Sequence, residues 1–110
     1  LSDQAQLRQV LLNLVLNAAD AMPSGGLIRI RLAGRGAETA VLAVEDTGPG
    51  IPDEIARSVF DPFFSTREGG VGLGLSIVSR LLEADGGSVA LDRSAPRGAR
   101  FLVTLPRSRV

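Results

Sequence analysis

Apolar residues along this chain recur with the 3.6-residue period of helices in some segments and alternate as in strands in others. Helical spacing predicts three helices, at about 4 to 22, 53 to 60 and 73 to 84. Strand patterns occur in two pairs, at about 27 to 32 with 39 to 45, and at about 88 to 92 with 99 to 105. Each pair is joined by a glycine-containing turn, so two hairpins are expected. This order predicts an α+β fold in which a layer of helices covers one sheet.

Length and charge limit the classes of protein to which the chain can belong. Its 110 residues suit a single domain, and a start at Leu1 rather than Met suggests a fragment of a longer protein. The 12 basic and 12 acidic residues cancel, so bulk charge favours neither nucleic acid nor an anionic membrane as a partner. No apolar stretch approaches the roughly 18 to 20 residues of a membrane-spanning helix, so no direct membrane contact is expected.

Three residue types are missing, and each absence removes a kind of chemistry. Without Cys there is no disulfide or thiolate metal site, and without His the commonest catalytic base is lacking. All twelve basic residues are Arg, which excludes a lysine-dependent Walker A loop. A phosphate group would have to be held by arginine, by main-chain amides or by a metal ion.

The first predicted helix carries a polar stripe of unusual composition. Asn13, Asn17 and Asp20 stand at i, i+4 and i+7 and therefore share one face. The stripe could simply face solvent, although Lys, Glu, Arg or Gln would favour the helix more than Asn does. The alternative is a binding site, because an amide oxygen is a suitable ligand for Mg²⁺.

A loop with the sequence DTGPG follows the second predicted strand. Asp46 at the strand end could accept a hydrogen bond from the exocyclic amine of adenine and would disfavour guanine, whose O6 is an acceptor. Gly48 and Gly50 would allow the main chain to approach a flat base. The competing interpretation is an ordinary turn.

A second glycine-rich stretch precedes the third predicted helix. Gly70, Gly72 and Gly74 alternate with Val71 and Leu73. Free N–H groups at a helix start carry partial positive charge and can hold phosphate without lysine. The alternative is a flexible loop, and the spacing does not match the dinucleotide-binding fingerprint.

Five segments, in order, resemble the N, G1, F, G2 and G3 boxes of the ATP-binding catalytic domain of bacterial sensor histidine kinases. They are QVLLNLVLNAADAM, DTGPGI, FDPFF, GVGLGLSIV and GARFLVTLP, and together they cover most of residues 4 to 106. NAADAM and DPFFSTREGG most resemble the nitrogen-regulation type. The resemblance implies the Bergerat, or GHKL, fold: an α+β two-layer sandwich of three helices on one mixed, largely antiparallel sheet.

The resemblance also implies roles for individual residues. ATP is expected to contact Asn13, Asn17, Asp46, Gly48, Gly50, Ile51, Phe60, Gly70, Val71, Gly72, Leu73, Gly74, Leu75 and Thr104. Asn17 is the expected Mg²⁺ ligand and Asp46 the adenine acceptor. Asn13 and Arg67 are the expected catalytic residues, with Arg67 on the γ-phosphate. Phe60, Phe63 and Phe64 would anchor a mobile lid, or form ordinary core.

The implied activity is transfer of the γ-phosphate of Mg·ATP to a histidine. In the hydrolysing branch of the family a glutamate stands where this chain has Asn13, and an amide cannot act as a base. The acceptor histidine must lie elsewhere, on a dimerisation and phosphoacceptor domain of the same kinase, with a response regulator downstream. A cytoplasmic location is implied, and the parent protein could be membrane-anchored. The alternatives are a GHKL ATPase and a non-catalytic nucleotide-binding regulatory module.

Overall fold

Seven helices and strands make up the part of the chain that the computed structural model describes, residues 2–56, 58–61, 73–93 and 98–106. In chain order they are α1 (Ser2–Ala21), β1 (Ile28–Arg35), β2 (Thr39–Asp46), α2 (Asp53–Ala56), α3 (Leu73–Ala84), β3 (Ser88–Leu91) and β4 (Arg100–Pro106). The second helix is shorter than predicted, because residues 58 to 60 form a turn.

The four strands form one sheet in the order β1-β2-β4-β3. Both predicted hairpins are confirmed, since β1 pairs with β2 and β3 with β4. The link between them is the long-range pairing of β2 with β4, which sets Val44 opposite Phe101 and Glu45 opposite Arg100. Every pairing among these described strands is antiparallel, so the expected mixed character is not seen in them.

The hydrophobic core lies between one face of this sheet and the helices α1 and α3. Alternate β4 residues point into it, as the two-residue period of a strand requires. On α1 the buried positions recur every four residues, which matches one helix face. The core side chains are Val10, Leu14, Val44, Val59, Leu75, Val78, Leu82, Ala99, Phe101, Val103 and Leu105. The two-layer α+β sandwich is thereby confirmed.

Within the described ranges, no helix is long and apolar enough to cross a membrane.

The opposite face of the sheet carries a network of charged side chains next to the end of β2. Arg31 Nε lies 2.6 Å from Glu45 Oε1, and Arg100 Nη1 lies 3.1 Å from Asp92 Oδ2. Arg100 Nε, which is buried, is 3.6 Å from the same Glu45 oxygen. The hydrogen bond from Arg31, opposed by partial burial and helped by nearby arginine charges, lowers the pKa of Glu45. The network joins β1, β2 and β4 beside Asp46.

Candidate functional site

Asp46, the last residue of β2, is a buried carboxylate whose orientation is held by main-chain groups. The residue is 8% exposed, which is rare for an ionisable residue. Oδ1 accepts hydrogen bonds from the N–H of Gly48 at 2.8 Å and from the N–H of Ala99 at 3.2 Å. Oδ2 accepts none from the described part of the chain. One oxygen is thus anchored, and the other is left to accept a hydrogen bond from a ligand.

Two glycines with positive φ lie against each other, and one of them, Gly98, lies against Asp46. Gly98 has φ +69°, and a side chain there would collide with the main-chain oxygen of Asp46. Gly50 has φ +80°, and a methyl group there would lie 3.0 Å from the Gly98 carbonyl oxygen. Left-handed φ values disfavour any residue with a Cβ, so both positions favour glycine, and at Gly98 a side chain also has no room. The G1-like loop and the segment before β4 are therefore in direct contact.

Asn13 and Asn17 lie next to the buried stripe of α1, one position before Leu14 and Ala18 respectively. Both amides are half-buried. Asn13 Oδ1 accepts a hydrogen bond from Gln9 Nε2 at 3.0 Å. No hydrogen bond to the Asn17 amide comes from another described residue. The Asn17 oxygen is therefore available to a ligand.

The end of α1 brings this amide-bearing helix to the Asp46 loop. A methyl group built on Gly48 would lie 3.7 Å from the Ala21 carbonyl oxygen and 3.1 Å from Asp46 Oδ1. Ala21 stands four residues after Asn17, so the two share a face of α1. The structure thus places the helix carrying Asn17 and the loop carrying Asp46 side by side.

Three other expected ATP contacts belong at least partly to the core. The Phe60 ring packs edge to face on Phe101, with centroids 5.9 Å apart and planes at 80°. Leu75 is 9% exposed and lies within the core cluster, and Ile51 packs against that cluster. Their side chains therefore have structural roles in the core.

Thr104 is not brought to Asp46. It pairs with Val41, five residues from Asp46 along β2. At the rise of an antiparallel strand, that is roughly 17 Å. Its neighbours Val103 and Leu105 point into the core, so strand alternation turns Thr104 to the other face of the sheet.

The remaining expected site residues lie in or next to the second glycine-rich stretch. Leu73 and Gly74 begin α3, as the sequence predicts. The residues outside the described ranges are Arg67, Gly70, Val71 and Gly72, with Phe63 and Phe64. Their roles stay predictions.

A cavity of about 320 Å³ lies next to the Asp46 loop. Its lining residues are Pro49, Gly50, Ile51, Pro52, Asp53, Leu91, Asp92, Arg93, Gly98 and Ala99. The exposed ion pair between Arg93 Nη2 and Asp53 Oδ1, 2.8 Å apart, involves two of these residues. The cavity is lined by neither Asp46 nor the α1 amides.

Sequence reasoning missed two residues of the site, Gly98 and Ala99. They contribute close packing and an N–H donor to Asp46. The sequence feature that could have identified them is the glycine at the start of GARFLVTLP, which lies at the turn into β4. Nothing local indicated that this turn would contact residue 46.

Comparison with known proteins gives the family. The family described as histidine kinase-, DNA gyrase B- and HSP90-like ATPase matches residues 2–109. Sporulation kinase C of Bacillus subtilis is 41% identical over 104 residues, which cover 94% of this chain and 24% of that protein. The sensory histidine kinase/phosphatase NtrB of Rhodobacter capsulatus is 42% identical over 118 residues, covering 96% of this chain and 33% of NtrB.

Solved structures agree with the sequence relatives. The mycobacterial sensor histidine kinase MprB superposes with a TM-score of 0.81 at 36% identity, over 93% of this chain and 70% of that one. Full-length ShkA, in complex with AMPPNP, superposes with a TM-score of 0.79 at 36% identity, over 92% of this chain and 21% of ShkA.

The chain belongs to the family of histidine kinase-, DNA gyrase B- and HSP90-like ATPases. Its relatives and structural neighbours are sensor and sporulation kinases, so within that family it is a catalytic domain of the sensor histidine kinase type. It spans 24% of the length of one of these curated relatives and 33% of the other.

Proposed function

We propose that this domain binds Mg·ATP and donates the γ-phosphate to a histidine on a separate dimerisation and phosphoacceptor domain of its parent kinase. A response regulator would receive the phosphoryl group next, and the domain would act in the cytoplasm. The observation that carries the proposal is the buried Asp46 carboxylate, with Oδ1 held by two main-chain donors.

This arrangement of Asp46 suits adenine. A carboxylate whose Oδ1 is already hydrogen-bonded presents Oδ2 as an acceptor in a set direction. The adenine N6 amine donates to such an oxygen, whereas guanine O6 would place acceptor against acceptor. Since a buried polar atom without a partner is costly, the site should discriminate between the two bases.

The α1 amides fit the phosphate end of the nucleotide. Asn17 supplies a neutral oxygen ligand that accepts no hydrogen bond from another described residue, and Mg²⁺ commonly combines one or two protein oxygens with water and phosphate oxygens. Bound there, the ion would neutralise phosphate charge. Asn17 would hold the ion, and Asn13, one turn earlier, would lie in the phosphate neighbourhood.

Transfer of the γ-phosphate is favoured over hydrolysis of ATP because α1 has no catalytic base at position 13. Asn13 is an amide whose oxygen already accepts a hydrogen bond from Gln9, and it cannot remove a proton from water. The chain has no His, so the phosphoacceptor must come from elsewhere. Full-length ShkA, a structural neighbour, was solved in complex with AMPPNP, which supports nucleotide binding by this domain.

The first test is replacement of the proposed adenine acceptor. Asp46→Asn should weaken ATP binding by about 1.5 to 3 kcal/mol, the range for a hydrogen bond to a charged group, and should reduce the preference for ATP over GTP. Titration calorimetry on the folded variant measures both. Asp53→Asn is the matched control, because it makes the same change at an exposed carboxylate after the same loop. Equal affinities for wild type and Asp46→Asn would remove Asp46 from the site.

The competing activities differ in the fate of the γ-phosphate. With labelled ATP and the parent's separately produced phosphoacceptor domain, the proposal expects label on that domain and little free phosphate. Hydrolysis faster than transfer would indicate an ATPase. Binding without either reaction would indicate a regulatory module.

A further inference from the structure

The Thr47 hydroxyl connects three segments around the site. Its Oγ1 accepts a hydrogen bond from the N–H of Leu27 at 3.0 Å and donates one to Met22 Sδ at 3.6 Å. The Thr47 N–H also donates to the Leu27 carbonyl at 3.2 Å. The hydroxyl thus uses both its donor and its acceptor capacity between the end of α1, the residue before β1 and the Asp46 loop.

Met22, the partner of this hydroxyl, is tightly enclosed. It is 9% exposed. A side chain on Gly26 would collide with its Sδ, and a methyl group on Gly48 would lie 3.0 Å from its Cγ. Its carbonyl accepts the Gly25 N–H at 2.9 Å, and its own N–H donates to the Ala19 carbonyl at 3.1 Å. Met22 is therefore held directly against the end of α1 by hydrogen bonds and close packing. We refer to Met22, Gly26, Leu27, Thr47 and Gly48 as the Met22–Thr47 clasp.

The clasp lies between the two groups that the proposed function assigns to opposite ends of ATP. Asp46 immediately precedes Thr47 in the chain. Asn17 stands five residues before Met22, about 7.5 Å along the helix axis. Because Met22 directly follows the continuous helix α1, a displacement at Met22 is expected to displace Asn17 as well.

We propose that Thr47 is a positioning residue that sets the spacing between the adenine acceptor Asp46 and the metal ligand Asn17. The inference rests on the proposed function. Thr47 acts through its hydroxyl, which ties the α1 end to the strand end, and it contacts no reacting atom.

This role affects ligands of different length unequally. Adenosine engages only the Asp46 end, so its binding does not depend on where α1 lies. Mg·ATP spans Asp46 and Asn17, so its binding requires the correct spacing. A general loss of folded protein would instead weaken both ligands together, which makes the ratio of the two affinities the informative measurement.

The test compares Thr47→Val, which keeps the β-branched shape and removes the hydroxyl, with Thr47→Ser, which keeps the hydroxyl. We expect Thr47→Val to bind Mg·ATP about three- to tenfold more weakly, the loss typical of a hydrogen bond, and adenosine within about twofold of wild type. Thr47→Ser should restore Mg·ATP binding. Calorimetry gives the affinities, and thermal melting shows that each variant is folded.

Several outcomes would overturn the inference. They are equal losses for adenosine and Mg·ATP, unchanged Mg·ATP binding in Thr47→Val, and failure of Thr47→Ser to restore it. If Thr47→Val does not fold, Met22→Leu removes the sulfur acceptor at similar volume and should give the same selective loss. A folded Met22→Leu variant without that loss would equally overturn the inference. A wild-type domain that binds neither ligand would refute the proposed function itself and the clasp's role with it.

Discussion

Gly98 packs directly against Asp46. It combines φ +69° with a position against the Asp46 main-chain oxygen, where a Cβ has no room. The next residue, Ala99, donates its N–H to the carboxylate. A shift of this turn would therefore move both the packing and the hydrogen bond that hold Asp46.

We expect Gly98→Ala to destabilise the domain by at least about 2 kcal/mol, since backbone strain and the steric collision both contribute. ATP affinity should fall as well, because Asp46 is displaced. Gly25→Ala is the matched control: Gly25 also has positive φ, +100°, but no atom lies within 4 Å of a Cβ there. Denaturant unfolding measures the difference. Equal destabilisation in the two variants would show that the contact with Asp46 contributes nothing.

At the scale of elements, charged side chains on the sheet face opposite the core connect three strands next to the site. Glu45 on β2 accepts a hydrogen bond from Arg31 on β1 and lies close to Arg100 on β4. These contacts lie next to the end of β2, where Asp46 is located. Because Glu45 and Asp46 alternate, the network lies on one face of the sheet and the site on the other.

The ionisation of Glu45 is expected to make the stability of the domain depend on pH. Its ordinary pKa is 4.5, and folding lowers this pKa, chiefly through the hydrogen bond from Arg31. The folded state therefore favours the ionised form. This contribution is complete above the unfolded pKa and is lost as pH falls through the folded pKa. We expect the difference in unfolding free energy between wild type and Glu45→Gln to shrink below about pH 4.5. Urea unfolding at several pH values measures it.

The partner of Glu45 provides the control for that experiment. Arg31→Met removes the main hydrogen-bond donor and should move the pKa of Glu45 towards its ordinary value. The pH dependence of stability should then flatten in Arg31→Met as it does in Glu45→Gln. If the difference in unfolding free energy between wild type and Glu45→Gln stays constant from pH 3 to 7, the stabilising role of ionised Glu45 is contradicted.

At the scale of the whole molecule, the proposed site joins both layers of the sandwich. Asp46 belongs to the sheet and Asn17 to the helices, so a ligand that contacts both should stabilise the complete fold. Binding to the folded state alone raises stability by about 2.7 kcal/mol when the ligand is present at one hundred times its dissociation constant.

Thermal unfolding with added nucleotides tests this linkage. ATP with magnesium should raise the melting temperature more than ATP with a chelator, and GTP should raise it least. The physical reasons are the acceptor at Asp46, which disfavours guanine, and the dependence of the phosphate end on the metal ion. Asn17→Ala should abolish the magnesium effect, and its persistence in that variant would argue against Asn17 as a ligand.

The sequence by itself determined the elements and the chemistry of the candidate residues. Local spacing predicted α1, α3 and all four strands, because the 3.6 and 2.0 periods are properties of neighbouring residues. The absence of His and Lys and the position of Asp46 at a strand end were likewise visible in the sequence. The periods and the strand end depend only on residues close together in the chain, and the missing residue types are a property of its composition.

Tertiary structure alone decided which of these pieces meet. Leu14 is 1% exposed and Leu16 is 53% exposed on the same apolar helix, because only packing selects the face that is buried. The pairing of β2 with β4 brings Ala99 to Asp46 and leaves Thr104 at the far end of the ladder. Strand pairing across more than fifty residues depends on shared burial and register rather than on local period, so no segment of the sequence specified it.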